Sequence, residues 1–248
     1  NDATVNMVAD ANLSVQALND ASLANFALGG GAAASGNVGI STQGSVAAVD
    51  IYSDTLATMN NTNVNATNGK IELSAQSDND IVSSADAANV AFGSTVGVAG
   101  GAAISVVNSD ADTKVEAKRD SGYSTWNAKE VLLSATSQND IINVAMGLGV
   151  GAGGTAGVDV EGNVAVNNIK NDTLVDVAGA SITAAQNLGV LANSREHLEN
   201  YGGALSVGAA GTAGVGVGAT VVVNTISGNT QALVDNSNLI AQGTGNTG

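Results

Sequence analysis

Leu205-Ser206-Val207-Gly208-Ala209-Ala210-Gly211-Thr212-Ala213-Gly214-Val215-Gly216-Val217-Gly218-Ala219-Thr220-Val221-Val222-Val223 alternates at every second residue. Starting from Leu205, one set of positions is Val, Leu or Ala throughout, apart from Gly211, and the other is mostly Gly, Thr, Ser and Ala. Period two predicts β-strand with one apolar face. The density of Gly and β-branched residues disfavours helix. Residues 148–166 repeat the pattern, from Leu148, Val150 and Ala152 to Val164 and Val166. A run of 19 residues exceeds the usual strand of about five or six, so it is expected to bend. The expected bends are Gly36-Asn37, Ser94-Thr95, Gly154-Thr155 and Gly211-Thr212, read as solenoid corners in preference to hairpin tips.

Working outward from this stretch, the chain resolves into four copies of one unit. Leu13, Ile71, Val131 and Leu188 open matching short strands spaced 58, 60 and 57 residues apart. Leu23, Ile81, Ile141 and Leu198 keep the same intervals, and so do Thr55, Thr113, Thr173 and Thr230. Residues 23–51, 81–109, 141–169 and 198–226 align without a gap, and the last two share 15 of 29 positions. Units are assigned to 13–70, 71–130, 131–187 and 188–248, with 1–12 closing a preceding unit of a longer protein. Length varies only between each Thr and the next unit, as in a solenoid whose insertions lie on one side. The predicted fold is an all-β parallel β-helix. Coils of about 19–20 residues, three per unit, would give about a dozen coils and a rod of roughly 60 Å; two 29-residue coils per unit are the alternative. The apolar positions are expected to fill a narrow core. Asn108, Asn167 and Asn224, at the block ends, are expected to stack in amide ladders, and the recurrent Thr to do likewise.

Composition agrees with such an architecture. The 248 residues include 32 Gly, six aromatics, no Pro and no Cys, which excludes disulfide and zinc-ribbon scaffolds. The net charge of −15, from 22 acids and seven bases, disfavours nucleic acid and anionic membranes. Only five of the charges, Asp50, Asp86, Asp159, Glu161 and Glu199, fall in the four aligned blocks. Six aromatics cannot furnish the two girdles of a membrane barrel. No apolar run has membrane length, and stable membrane insertion is not expected.

The small-residue strands run into Val164-Ala165-Val166-Asn167 and Val221-Val222-Val223-Asn224, then a Thr-initiated strand and a Val/Leu-x-Ala tail. This pattern resembles the passenger repeats of giant bacterial exoproteins, the filamentous-haemagglutinin-type adhesins and the fusobacterial-leukotoxin-like exotoxins. The resemblance implies a right-handed parallel β-helix, export through an outer-membrane translocator, and a secreted or cell-surface location. It implies a shaft in an adhesin that engages a host-cell or bacterial surface receptor, or else a repeat segment of a cytotoxin. A polysaccharide-acting β-helix enzyme is a further option.

Chemistry-bearing constellations are sparse. The single histidine, His197, aligns with Ser22, Asp80 and Asp140, so the unit does not require an imidazole, and a surface loop is expected. No catalytic, cofactor or transition-metal set is assigned. Asp80 and Asp140, at least two coils apart on this reading, would stand about 10–14 Å apart, too far for a glycosidase pair. Asp78/Asp80, Asp110/Asp112 and Asp159/Glu161 alternate onto shared faces and are read as solvated acids, with a weak calcium site as the lesser option. Gly149-Val150-Gly151-Ala152-Gly153-Gly154 fits G-x-G-x-x-G, yet lies inside a β-run with no helix following.

Overall fold

The computed structural model describes residues 3–8 and 10–243. The outer limits of the assigned segments, 1–2 and 244–248, lie outside the described residues. Among the described residues there is no helix; the chain is a parallel β-solenoid. One sheet stacks β2 (Leu13–Ser35), the greater part of β4 (Thr62–Gly93) and β6 (Ser124–Gly153), and β9 (Leu188–Ala210). The facing sheet stacks β3 (Val38–Thr58), β5 (Val96–Lys118), β7 (Ala156–Ala178) and, side by side, β10 (Ala213–Ser227) and β11 (Thr230–Asp235). A short third side is built from β1 (Ala3–Asn6), the starts of β4 and β6, β8 (Ala180–Ala184) and β12 (Asn238–Ala241).

Registry corrects the expected coil length. Leu13 pairs with Ile71, Ile71 with Val131 and Val131 with Leu188, so one whole 57–60-residue unit makes one rung. Neither two nor three coils fit within a unit. Four rungs spaced by about 4.8 Å stand about 19 Å high, and each 23-residue arm extends about 75 Å at 3.3 Å per residue. The described residues form a broad blade, where a narrow rod of about a dozen coils was expected.

At the bends β2 passes to β3, β4 to β5, β6 to β7 and β9 to β10 by crossing from one sheet to the other, so the arms are not hydrogen-bonded hairpins. Each tip bonds the tip of the next rung: Thr95 N donates to Asn37 O at 3.0 Å, and Thr155 N to Thr95 O at 2.9 Å. The opposite corner uses left-handed residues, Asn61 (φ 52°), Gly122 (φ 77°), Gly179 (φ 64°) and Asn236 (φ 43°), where Gly and Asn tolerate positive φ.

The interior tapers from base to tip. At the base Ile71, Leu73, Val115, Leu133 and Ile182 surround Trp126, whose Nε1 donates to Thr62 O at 2.8 Å. Halfway along the arms the filling shrinks to Val49, Ile81, Val107, Ile141 and Ile169, and then to Ala47, Ala85 and Ala103. Near the tip the sheets meet backbone to backbone. A Cβ on Gly97 would lie 2.1 Å from Ala152 O, and one on Gly151 would lie 2.0 Å from Val158 O.

This taper overturns the expected orientation of the alternating stretch. In the arms the inward residues are Gly147, Gly149, Gly151 and their equivalents, while Leu148, Val160, Leu205, Val207, Val215 and Val217 face outward. Leu205 is 59% exposed. The gap between the sheets is too narrow for branched side chains, so the small residues of each alternating pair turn inward.

Candidate functional site: a charge-free outer face over a polar interior

Three polar belts cross the interior of the blade between its apolar layers. Nearest the base, Asn19 Nδ2 donates to Asn79 Oδ1 (3.1 Å), Asn79 Nδ2 to Asn139 Oδ1 (2.8 Å), and Asn139 Nδ2 to both carboxylate oxygens of Glu196 (3.1 and 3.0 Å). Asn79 and Asn139 are fully buried. Beyond the Ile/Val layer, Asn143 Nδ2 donates to Asn167 Oδ1 at 2.8 Å, and Asn167 Nδ2 to Asn224 Oδ1 at 2.9 Å. Such amide ladders satisfy most of the side-chain groups that would be costly to bury alone, though Asn143 Oδ1 is left without a partner.

The third belt is incomplete. Asp159 and Glu161 of β7 point inward and are 0% and 1% exposed, which corrects their reading as solvated acids. Glu161 sits over Gly101 and Gly147, where any Cβ would come within 2.8 Å of its carboxylate. Asn89 Nδ2 donates to Glu161 Oε1 at a long 3.4 Å; Glu161 Oε2, Asn89 Oδ1 and both Asp159 oxygens have no hydrogen-bond partner. Burial pushes the Glu161 carboxyl above its ordinary range, against the Asn89 hydrogen bond and with help from Asp159.

The sequence anchors divide between the two faces. Leu23, Ile81, Ile141 and Leu198 share one inward column around the middle apolar layer. Thr55, Thr113 and Thr173 also share an inward column with Thr230, yet the hydroxyls of Thr55, Thr113 and Thr173 bond nothing, so no threonine ladder forms. The three asparagines are not equivalent: Asn167 and Asn224 pair inside, whereas Asn108 pairs with Asn168 outside. There Asn108 Nδ2 donates to Asp50 Oδ1 at 2.6 Å and Asn168 Nδ2 to Asn108 Oδ1 at 2.9 Å.

Outward charges gather on the basal half. Asp80 and Asp140 are direct rung neighbours, about 4.8 Å apart along the stack, which removes the separation expected from shorter coils. They lie on an open strand surface. Burial first, then Asp80, Asp20 and Asp140, raises the Asp78 carboxyl. On the other sheet Lys170 Nζ stands 3.0 Å from Asp110, 3.5 Å from Asp172 and 3.9 Å from Asp112. The Asp110 hydrogen bond leads in raising the Lys170 ammonium. His197 stands on a strand, not in a loop, exposed and 3.1 Å from Glu199 Oε1. Among the described residues no three His, Asp or Glu side chains converge as a metal site.

The distal half differs. From Val38 to Ala48 and at the matching positions of β5, β7 and β10, the outward residues are Val, Ile, Ala or Gly apart from Thr42. On the other sheet the outward residues from Phe26 to Ala34 and their equivalents carry one charge, Asp86, which accepts from Ser84 Oγ at 2.9 Å. Leu28, Met146, Leu148 and Leu205, together with Asp86, border an open, mainly apolar depression of about 520 Å³ on this sheet. Sequence reading found the apolar set and missed its exposure, because alternation alone does not say which parity meets the partner sheet.

No family model, curated protein or solved structure matches this chain.

Proposed function

We propose that the chain is a non-catalytic structural shaft of a large secreted or cell-surface bacterial exoprotein, an adhesin that attaches its cell to a host or to another bacterium. The observation that carries this reading is the in-register stacking of whole units, tip bonded to tip and amide to amide from rung to rung. A stack in which each rung contacts only its neighbours extends by simple repetition and holds its backbone groups paired along its length. Apart from the buried Asp159 and Glu161, most of its acids spread along open strand surfaces and its one histidine is tied to Glu199, an arrangement suited to solubility more than to acid–base chemistry. The reading needs an outer-membrane translocator for export and a surface receptor engaged by the whole protein. Antibodies raised against the fragment should label intact producing cells or their medium, and beads coated with the whole protein should adhere to host or bacterial cells more than beads carrying an unrelated solenoid. Labelling only after cell lysis would remove the surface assignment.

A cytotoxic repeat segment of the leukotoxin kind is the second reading, favoured by the apolar distal faces, which carry Asp86 as their one charge. Release of dye from liposomes by the fragment would support it over the shaft.

A further inference from the structure

The distal half of the blade is built inside out. Its interior holds Asn89, Asp159, Glu161 and Asn163 among alanine and glycine, and its two broad outer faces are apolar apart from Asp86, Ser84 and Thr42. The apolar strip runs nine residues on one arm, Phe26 to Ala34, with Asp86 as its one charge across the rungs, and eleven charge-free residues on the other, Val38 to Ala48. At about 3.3 Å per residue these are about 30 and 36 Å long, and over four rungs each face offers about 600 Å². Each face alone stands at the upper end of the contiguous apolar patches of about 300–600 Å² that soluble monomers show, and patches of that size are often functional.

The border of this region has its own chemistry. Phe26 and Tyr201 occupy the same column at its edge on one sheet, 66% and 53% exposed, and Tyr52 stands just beyond the edge on the other. Tyr201 Oη donates to Glu199 Oε2 at 2.8 Å, toward the charged half, so its ring borders the apolar side and its hydroxyl the wet side. Amphipathic aromatics at a boundary between apolar and charged surface are the arrangement favoured at lipid–water interfaces. Past the border come the acid columns, Asp20 with Asp78, Asp80 with Asp140, and Asp54 with Asp112 and Asp172.

We infer that the distal half of the blade docks into an uncharged lipid surface, with the acid-bearing basal half left in water. The net charge of −15 selects zwitterionic over anionic headgroups by simple repulsion. The faces bury apolar area on entry, and the uncharged tips, such as Ser94-Thr95 and Gly154-Thr155, carry no ionic desolvation cost. Depth is limited by charge. The acid columns beside the strip, Asp20 with Asp78 and Asp80 with Asp140, are costly to carry into hydrocarbon. Docking therefore stays at the headgroup–chain boundary and does not span. This inference stands on the outer faces alone and holds whether the parent protein is an adhesin or a toxin.

The test is flotation of the 248-residue chain with phosphatidylcholine vesicles and with vesicles containing phosphatidylserine. The chain should float with the first and more weakly with the second. Val46→Glu and Val160→Glu, exposed on the distal face, should each reduce flotation by about tenfold or more, with circular dichroism unchanged. Leu56→Glu, exposed on the basal half of the same sheet, should leave it intact. Absent flotation with either vesicle, or equal loss from Leu56→Glu, overturns the inference. So does a concentration-dependent dimer abolished by Val46→Glu without vesicle binding, which would assign the face to a second copy of the chain.

Discussion

At the scale of single residues, the space between the sheets decides what each position tolerates. Gly97 and Gly162 look alike in the sequence, yet a Cβ on Gly97 would meet the Ala152 backbone and one on Gly162 would meet nothing within 4 Å. Gly97→Ala is expected to lower stability by about 1–3 kcal/mol. Gly162→Ala should be neutral or raise it by up to about 1 kcal/mol, through the entropy of the unfolded chain; urea denaturation of the two variants makes the comparison. Glu161 offers a second residue-scale outcome. Facing it are Asp159 on its own strand, Asn89 of β4, Gly101 of β5 and Gly147 of β6. Its folded carboxyl holds the proton to higher pH than the unfolded chain, whose ordinary value is 4.5. Below that value the group contributes nothing to the pH dependence; as pH rises through the raised folded value, stability is lost. Glu161→Gln should therefore flatten the decline above pH 4.5 and be more stable than the parent at pH 7. A parent curve that rises with pH over this window and loses that rise in Glu161→Gln would contradict the assignment.

At the scale of the element, a strand here is a sequence of layers: bulky at the base, amide, Ile/Val, amide, alanine, acid, glycine. The inner amide ladder is directional, each Nδ2 donating to the next rung and the last ending on Glu196. Truncating Asn139 removes the acceptor of Asn79 and a donor to Glu196 at once. Asn139→Ala is therefore expected to cost about 2–4 kcal/mol, more than a surface amide such as Asn168, because buried partners are left unpaired. Thermal unfolding of the two alanine variants distinguishes them. The recurrence of the threonines was legible in the sequence, but their ladder was not realised. Their hydroxyls face a layer that supplies no partner, and spacing carries no information about what lies across the gap.

At the scale of the whole molecule, the rung is the folding unit, so whole units are the removable pieces. Deleting residues 131–187 should join Glu130 to Leu188 in the pairing frame that Val131 now holds and leave a shorter β-rich, cooperatively folding blade. Deleting about 20 residues, one coil of the shorter-coil reading, should abolish cooperative unfolding, because each following rung is thrown out of register. Far-UV circular dichroism and a single melting transition separate the two results. The same geometry explains why the separation of Asp80 and Asp140 was misjudged. Both lie on one rung-to-rung column, and their distance depends on coil length, which the repeat interval alone leaves open.

The sequence by itself determined the β-content, the four units and the pairing frame between them. Three sets of anchors with intervals of 58, 60 and 57 specify which residues become rung neighbours, and local alternation specifies the strand. Only the tertiary structure decided how many coils a unit makes and which face of each arm is hidden. Those depend on the distance between the two sheets, which closes from the width of Trp126 at the base to backbone contact at Gly97 and Gly151. Where no side chain fits, glycine must turn inward, and the valines and leucines that mark the strand in the sequence are left facing outward.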